Sequence, residues 1–410
     1  MRRALAFGIA LLLVLAACAP ATQEPLLIGA VYPTGAPLGE EGLQEYRGVK
    51  LAADLANQEG GVGGRPIKLL LEAANSAEAG PEAVKRLSNG GAKVIVGSYS
   101  SVVSRTAART ASDLGLVFWE TGAVGEVGMS PSISERVFRF APTGASLGRA
   151  AISFVRDQVA SKVAGPAKPR YSVVFVDDVY GRSVASGAID EINRSGLPLA
   201  SAIGYDLQTV DYGRITRDLI ASGTDVLMVV AYLEDGVALR RAVVEAKVPL
   251  MATIGTSSSY CHPAFGQMLG EDALGVFASD KPDADVVDPA ALDDESAERL
   301  KWARERYTSL YSQPMSAAAL AGFSAGWALF HHVLPRAAAQ TPDAVAEAAR
   351  TVRLEAGALP NGSGLSFSSS KDHEGINELA TSVIWQWVEP GVRAVVWPPT
   401  FATRPVLALR

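Results

Sequence analysis

Short apolar runs alternate with helical segments along most of this chain, and this alternation constrains the fold more than any other feature. Residues 26–31, 94–96, 116–119, 171–176 and 225–230 have the composition of buried strands, with segments of helical spacing between them. Strands and helices that alternate in this way specify parallel sheets with helices on both faces. The sequence therefore predicts an α/β protein.

The alternating pattern is interrupted near Pro142 and again near Lys281, which divides it into two series. A late strand at residues 382–387 follows a long helical region and belongs with the second series. A chain of 410 residues, 48% of them hydrophobic, is long enough for two domains. We predict two doubly wound lobes joined by three crossings. Residues 26–141 with 280–380 form lobe 1, and residues 142–279 with 381–410 form lobe 2.

The amino terminus has the pattern of an export signal. Arg2 and Arg3 precede an apolar run at residues 4–15, which is too short to span a bilayer. The run ends at Leu-Ala-Ala-Cys18, which resembles the bacterial lipoprotein signal. This resemblance implies a signal peptide at residues 1–17 and a lipidated tether at residues 18–25 that begins with acylated Cys18. An ordinary signal peptide cut nearby is the alternative.

Charge and cysteine content narrow the classes of partner and site. Removing two arginines from 37 basic residues leaves 35 against 43 acidic residues, so the mature chain has a net charge near −8. That balance argues against a nucleic-acid partner. If Cys18 carries lipid, Cys261 stands alone and no internal disulfide forms. We interpret Cys261 as a partly buried loop thiol rather than a nucleophile.

Polar and small residues follow two neighbouring predicted strands in residues 92–128, where a ligand site is expected. A helix that begins at Ser100 or Ser101 would leave its free N–H groups facing the strand ends. Such groups bind anions, so this region is predicted to hold a ligand carboxylate. The candidate residues here are Tyr99, Ser100, Ser101, Glu120, Gly122, Ala123 and Val124.

Motifs for catalysis or cofactors do not appear in the sequence. It has no Gly-x-Ser-x-Gly turn, and neither His262 nor His373 has an obvious partner. The glycine-rich residues 60–64 lie between a helix and a strand, the reverse of a dinucleotide loop. No metal-ligand spacing is present either. We therefore expect no enzymatic activity, no cofactor and no metal.

Several short segments occur in an order and spacing that identify a family over nearly the whole mature chain. The sequence resembles the bacterial leucine/isoleucine/valine-binding protein family, the type I periplasmic binding proteins that supply ABC importers. The segments are Gly29-Ala30-Val31 with Thr34-Gly35, Asn57 to Arg65, Val96-Gly97-Ser98, Asp178-Val179-Tyr180-Gly181 and Val396-Trp397-Pro398-Pro399.

This resemblance implies a monomer whose two lobes close on a small organic solute and deliver it to permease and ATPase subunits. It places the ligand carboxylate on Ser101, with Ser100 beside it and the backbone of Gly122 and Ala123 opposite. The second lobe would contribute Tyr180 and Tyr232.

Two departures from the family pattern bear on the ligand. Val124 stands where amino-acid binders usually present a threonine. The acid that holds the ligand ammonium should follow residues 251–253, but that segment contains Gly255 and Thr256 and no carboxylate. An unpaired ammonium in a closed cleft costs several kcal/mol. We therefore predict a small carboxylate or amide without a free α-amino group.

The predicted cleft is rich in aromatic residues, which suits a planar or apolar ligand. Tyr99, Trp119, Tyr180 and Tyr232 lie at or beside the relevant strand ends, although some of these rings can belong to the core. Two alternatives stay open: an amino-acid binder whose ammonium site has moved to Glu120 or Glu41, and a sensor that signals to a partner protein.

The lipoprotein prediction can be checked at Cys18. Changing Cys18→Ser should release the protein from membranes, because each buried acyl CH₂ contributes about 0.8 kcal/mol to anchoring. Fractionation of cells that express either form measures this. A mutant that stays on the membrane would show that lipid on Cys18 is not the anchor.

Overall fold

The computed structural model describes residues 23–126, 135–160, 166, 168–371 and 373–407. Cys18 and the predicted signal peptide lie outside these ranges, so the signal peptide and the lipidation stay predictions. The strands within them are β1 (Leu26–Tyr32), β2 (Ile67–Ala73), β3 (Val94–Gly97), β4 (Val117–Glu120), β5 (Val137–Arg139), β6 (Tyr171–Val176), β7 (Leu199–Tyr205), β8 (Val226–Val230), β9 (Ala252–Thr256), β10 (Phe277–Asp280), β11 (Val383–Glu389) and β12 (Val392–Trp397).

Helices fill most of the connections between these strands. They are α1 (Gly39–Gln58), α2 (Ala79–Asn89), α3 (Ser101–Asp113), α4 (Gly144–Phe154), α5 (Val179–Arg194), α6 (Tyr212–Ser222), α7 (Leu233–Glu245), α8 (Pro263–Leu269), α9 (Asp294–Tyr311), α10 (Ala317–Trp327) and α11 (Pro342–Thr351). Several begin at a capping carboxylate; Asp178, for example, accepts a hydrogen bond from Gly181 N–H at 2.9 Å.

The strands form two sheets, as the alternating pattern predicts. The first has the order β2-β1-β3-β4-β5, and all its neighbouring strands are parallel. The second has the order β12-β11-β10-β9-β8-β6-β7. Here β11 and β12 depart from the parallel expectation, because β11 pairs antiparallel with both β10 and β12. The predicted α/β fold is confirmed, while the lobe boundaries stay a prediction.

Helix α10 packs closely on α1, and small residues make this approach feasible. A Cβ at Gly48 would lie 2.0 Å from the Ala319 carbonyl oxygen, and one at Gly322 would lie 2.0 Å from the Glu45 carbonyl oxygen. Residues 317–336 are long and apolar enough to cross a membrane, but 83% of their most apolar window is buried. That burial is typical of a core helix.

The carboxyl ends of the central strands of both sheets point toward one shared space. Tyr99 follows β3 of the first sheet, and its hydroxyl lies 3.4 Å from the Ser258 hydroxyl that follows β9 of the second. In open parallel sheets, ligands bind at this edge. The fold thus brings the strand ends identified in the sequence to a space between the two sheets.

Candidate ligand-binding site

A small cavity lies between the carboxyl ends of the two sheets, and we call it the cleft cavity. Its volume is about 10 Å³, which is room for about one water molecule. The sides are therefore nearly in contact in this conformation. The cleft cavity is lined by Leu38, Tyr99, Ser101, Gly122, Val124, Tyr180, Tyr232, Ser257, Ser258 and Lys281.

The first side of the cavity is built on the start of α3. Ser101 is the first residue of this helix and is 6% exposed, and its Oγ accepts a hydrogen bond from Gly125 N–H at 3.0 Å. A hydroxyl that accepts one bond still has a proton to donate. The helix amino terminus adds a partial positive charge. Ser100 precedes the helix and is buried, and it does not line the cavity.

The backbone after β4 is held by an acid rather than left free. Glu120 Oε1 accepts hydrogen bonds from the N–H groups of Gly122 at 3.1 Å and Ala123 at 2.8 Å. In this conformation, neither N–H group is free to bind a ligand carboxylate. Gly122 and Val124 do line the cavity, whereas Ala123 does not.

In this arrangement, Glu120 cannot bind a ligand ammonium group in place of the missing acid. Its side chain is fully buried, accepts from Ser104 Oγ, and does not line the cleft cavity. Burial raises its pKa well above the usual range, and the neighbouring Glu45 raises it further. Glu120 fixes the shape of the segment behind the cavity.

Lys281 is the charged group of the site, and sequence reasoning missed it. Its side chain is 3% exposed, and its Nζ donates to the Gly122 carbonyl oxygen at 3.0 Å and lies 5.3 Å from the Tyr99 ring centroid. No carboxylate of the described residues lies within 4.0 Å of this ammonium group. Lys281 directly follows β10, and ligands bind near the carboxyl ends of strands in open parallel sheets. The sequence could therefore have identified Lys281 from its position after this strand.

Tyr180 and Tyr232 form the opposite side of the cavity. The Tyr180 and Tyr232 ring centroids are 5.5 Å apart. The Tyr180 hydroxyl lies 2.8 Å from Thr256 Oγ1, and the Tyr232 hydroxyl donates to Asp178 Oδ2 at 2.6 Å. Both hydroxyls are held by the protein, so each ring is fixed in place. Thr256 acts here through Tyr180 and does not line the cavity.

Residues 254–257, where the family pattern places an ammonium-binding acid, lie partly inside strand β9 and pack against Tyr260. Strand β9 runs to Thr256, so Gly255 lies inside the strand, and Ser257 and Ser258 reach the cavity instead. A Cβ at Gly255 would lie 2.2 Å from Cγ of Tyr260, a fully buried residue. The Tyr260 ring therefore occupies the space into which a longer side chain at position 255 would project.

Two further predicted residues lie elsewhere. Trp119 belongs to the hydrophobic core. It is fully buried and donates from Nε1 to the Ala325 carbonyl oxygen at 3.0 Å, and its ring centroid lies 5.3 Å from that of Phe367 in an edge-on arrangement. Glu41 does not line the cleft cavity, but it does line a neighbouring one, where it lies 3.6 Å from His262 Nε2. His262 thus has the acidic neighbour that was not apparent from the sequence.

Glu45 lies behind the cavity, where its carboxyl group interacts electrostatically with Lys281. It is fully buried, its Oε1 accepts from Thr121 Oγ1 at 2.6 Å, and its Oε2 has no hydrogen-bond partner among the described residues. Burial raises its pKa to about 7, although the Lys281 charge and the Thr121 hydrogen bond lower it. Near neutral pH this carboxyl therefore offsets the Lys281 charge only in part.

The sequence matches a protein-family model described as periplasmic binding protein over residues 25–386. Among curated relatives, a Leu/Ile/Val-binding protein homolog 8 from Brucella abortus is 28% identical over 378 residues, which is 91% of both chains.

Solved structures share the fold. The leucine binding protein LivK from Thermotoga maritima superposes with a TM-score of 0.74 at 15% identity and covers 90% of this chain and 97% of its own. A solute binding protein from R. palustris in complex with benzoate has a TM-score of 0.72 at 15% identity, with coverage of 94% and 98%.

The buried Glu45 predicts a pH dependence of stability. Its pKa is raised in the folded protein, so the unfolded chain releases this proton first as pH rises from about 4.5 to about 7. Stability from this group is thus present at low pH and lost across that window, by up to about 3 kcal/mol. Between pH 5 and pH 8, Glu45→Gln should therefore lose about 2–3 kcal/mol less stability than the wild type does, as measured by urea unfolding at both pH values.

The exposed Glu305 provides the matched control, because Glu305→Gln removes an acid without touching the buried group. It should follow the wild-type pH profile. If Glu45→Gln lost as much stability as the wild type between pH 5 and pH 8, Glu45 would not contribute to the pH dependence in this window.

Proposed function

The chain belongs to the periplasmic binding protein family, and we propose that it is the extracytoplasmic solute-binding protein of an ABC importer of the branched-chain-amino-acid type. In this proposal it binds a small carboxylate in the cleft cavity, without catalysis, and presents it to the permease and ATPase subunits. The lipid on Cys18 holds it at the membrane as a monomer.

One observation carries the choice of ligand: the cleft cavity contains a buried cation and no acid among the described residues that line it. Lys281 supplies the charge, and Ser101 at the start of α3 supplies a hydroxyl and the helix dipole. A hydrogen bond between a charged pair contributes about 1.5–3 kcal/mol. A carboxylate is the ligand group that completes this set.

An α-amino acid fits the same cavity less well. Tyr260 fills the space beside Gly255, and Glu120 is turned away toward the backbone of Gly122 and Ala123. An α-ammonium placed next to the Lys281 charge would also be repelled. The benzoate complex of the R. palustris protein makes benzoate a reasonable first probe for a carboxylate without an amino group.

Binding requires the two sides of the cavity to separate and close again, because about 10 Å³ does not admit a solute. We propose that the sheets belong to two lobes and that the ligand docks first on Ser101 and Lys281. Rotation at the crossings then brings Tyr180 and Tyr232 over it. Closure excludes water and strengthens each polar contact.

The proposal predicts that Lys281→Gln weakens carboxylate binding. Loss of one charged hydrogen bond corresponds to an increase of about ten- to a hundredfold in Kd, because about 1.4 kcal/mol is a factor of ten. Calorimetric titration with benzoate, or with the tightest acid of a thermal-shift panel, measures the change. The exposed Lys68 is the matched control, and Lys68→Gln should bind as the wild type does.

The thermal-shift panel compares aromatic acids, short amides and urea with leucine, isoleucine and valine. At a hundred times Kd a ligand stabilises the folded state by about 2.7 kcal/mol. Stabilisation by leucine alone, with unchanged binding by Lys281→Gln, would contradict the proposed ligand class.

A further inference from the structure

A second cavity adjoins the cleft cavity and shares Tyr99 and Ser257 with it. Its volume is about 350 Å³, which is large enough for part of a solute. It lies between the first turn of α1, the turn after β9 and the end of β10, so residues from both sheets or their helices line it. A solute seated against Lys281 can therefore extend into this space.

The charges of the second cavity are opposite to those of the first. Four acids line it: Glu40, Glu41, Asp280 and Asp283. The permanent cation in the lining is Arg393, which forms an ion pair with Asp283 and lies 4.2 Å from the Trp385 ring centroid. Burial lowers the pKa of His262, so this side chain adds little positive charge at pH 7. The second cavity therefore has an excess of negative charge.

Asp280 offers an unused acceptor at this site. The residue is 4% exposed, and its Oδ2 accepts the Cys261 thiol at 2.8 Å. Its Oδ1 is buried and has no hydrogen-bond partner among the described residues. Buried carboxylate oxygens are almost always hydrogen-bonded, and an unpaired one costs about 1–3 kcal/mol or more. A donor that reached Oδ1 from the second cavity would remove this cost.

Asp280 and Lys281 are consecutive residues at the end of β10, and each lines a different cavity. We propose that the second cavity is a subsite for a cationic group of the solute, an amine or guanidine, with Asp280 Oδ1 as its acceptor. This rests on the proposed function for the position of the carboxylate at Lys281. The ligand class is then a carboxylate whose cationic group is remote from it, rather than on the α-carbon.

Cys261 provides a reporter for this subsite that needs no known ligand, because its thiol lies beside Asp280 in the lining. Cys261 is labelled in separate experiments with two thiol reagents of opposite charge, 2-aminoethyl methanethiosulfonate, which is cationic, and 2-sulfonatoethyl methanethiosulfonate, which is anionic. Labelling of the Cys261 peptide is followed by mass spectrometry on the native protein. Each rate is divided by the rate with free cysteine, so reagent reactivity and the thiolate fraction cancel in the ratio.

The cationic reagent should label Cys261 about tenfold faster than the anionic one, because about 1.4 kcal/mol of electrostatic preference gives that ratio. Asp280→Asn keeps the size of the side chain and should reduce the ratio to about threefold or less. The exposed Asp190 gives a matched control, and Asp190→Asn should keep the wild-type ratio.

Equal rates with the two reagents in the wild-type protein would overturn this proposal without any variant. Glu41→Gln gives a second test if Asp280→Asn does not fold, and it should also lower the ratio. The two proposals fail separately: equal labelling rates leave benzoate binding and its loss in Lys281→Gln untouched. Conversely, a protein that binds no carboxylate would still show the charge preference at Cys261.

Discussion

The candidate site depends on the burial of the Lys281 ammonium group. An ammonium ion placed away from water is costly unless acceptors surround it. The described residues supply one direct acceptor for its three donors, the Gly122 carbonyl oxygen at 3.0 Å, together with the face of Tyr99. Glu45 compensates the charge from behind only in part. A ligand carboxylate would provide the remaining partner, which links the stability of this residue to binding.

Both sides of the cleft are held rigidly before any ligand arrives. On one side, Glu120 accepts from the backbone after β4, and Arg139 donates to the Ala123 carbonyl oxygen at 3.2 Å. On the other, Asp178 and Thr256 fix the hydroxyls of the two tyrosines. Donors and rings that are already ordered lose little conformational freedom on binding. In the proposed mechanism, the motion needed for binding is therefore a movement of the two sides relative to each other.

The order of strands and helices could be predicted because long apolar runs specify buried strands. Ser101, named from the strand ends, and Tyr180 and Tyr232, named from the family resemblance, all line the cleft cavity. The same sequence could not show that Trp119 turns into the core, or that Glu120 folds back onto its own backbone, because both depend on tertiary contacts. The absence of an acid near Gly255 was visible in the sequence, but the extension of β9 to Thr256 and the packing of Tyr260 against Gly255 were not. Register within an apolar run is set by its neighbours in the sheet.

A crystal structure with the tightest-binding carboxylate of the panel tests the central claim most directly. The claim is that Lys281 and Ser101 hold the carboxylate between the two sheets. One carboxylate oxygen should lie within about 3 Å of Lys281 Nζ, and an oxygen of the same group within about 3 Å of Ser101 Oγ. A bound acid whose carboxylate lies elsewhere, with Lys281 still bonded only to the Gly122 carbonyl oxygen, would contradict it.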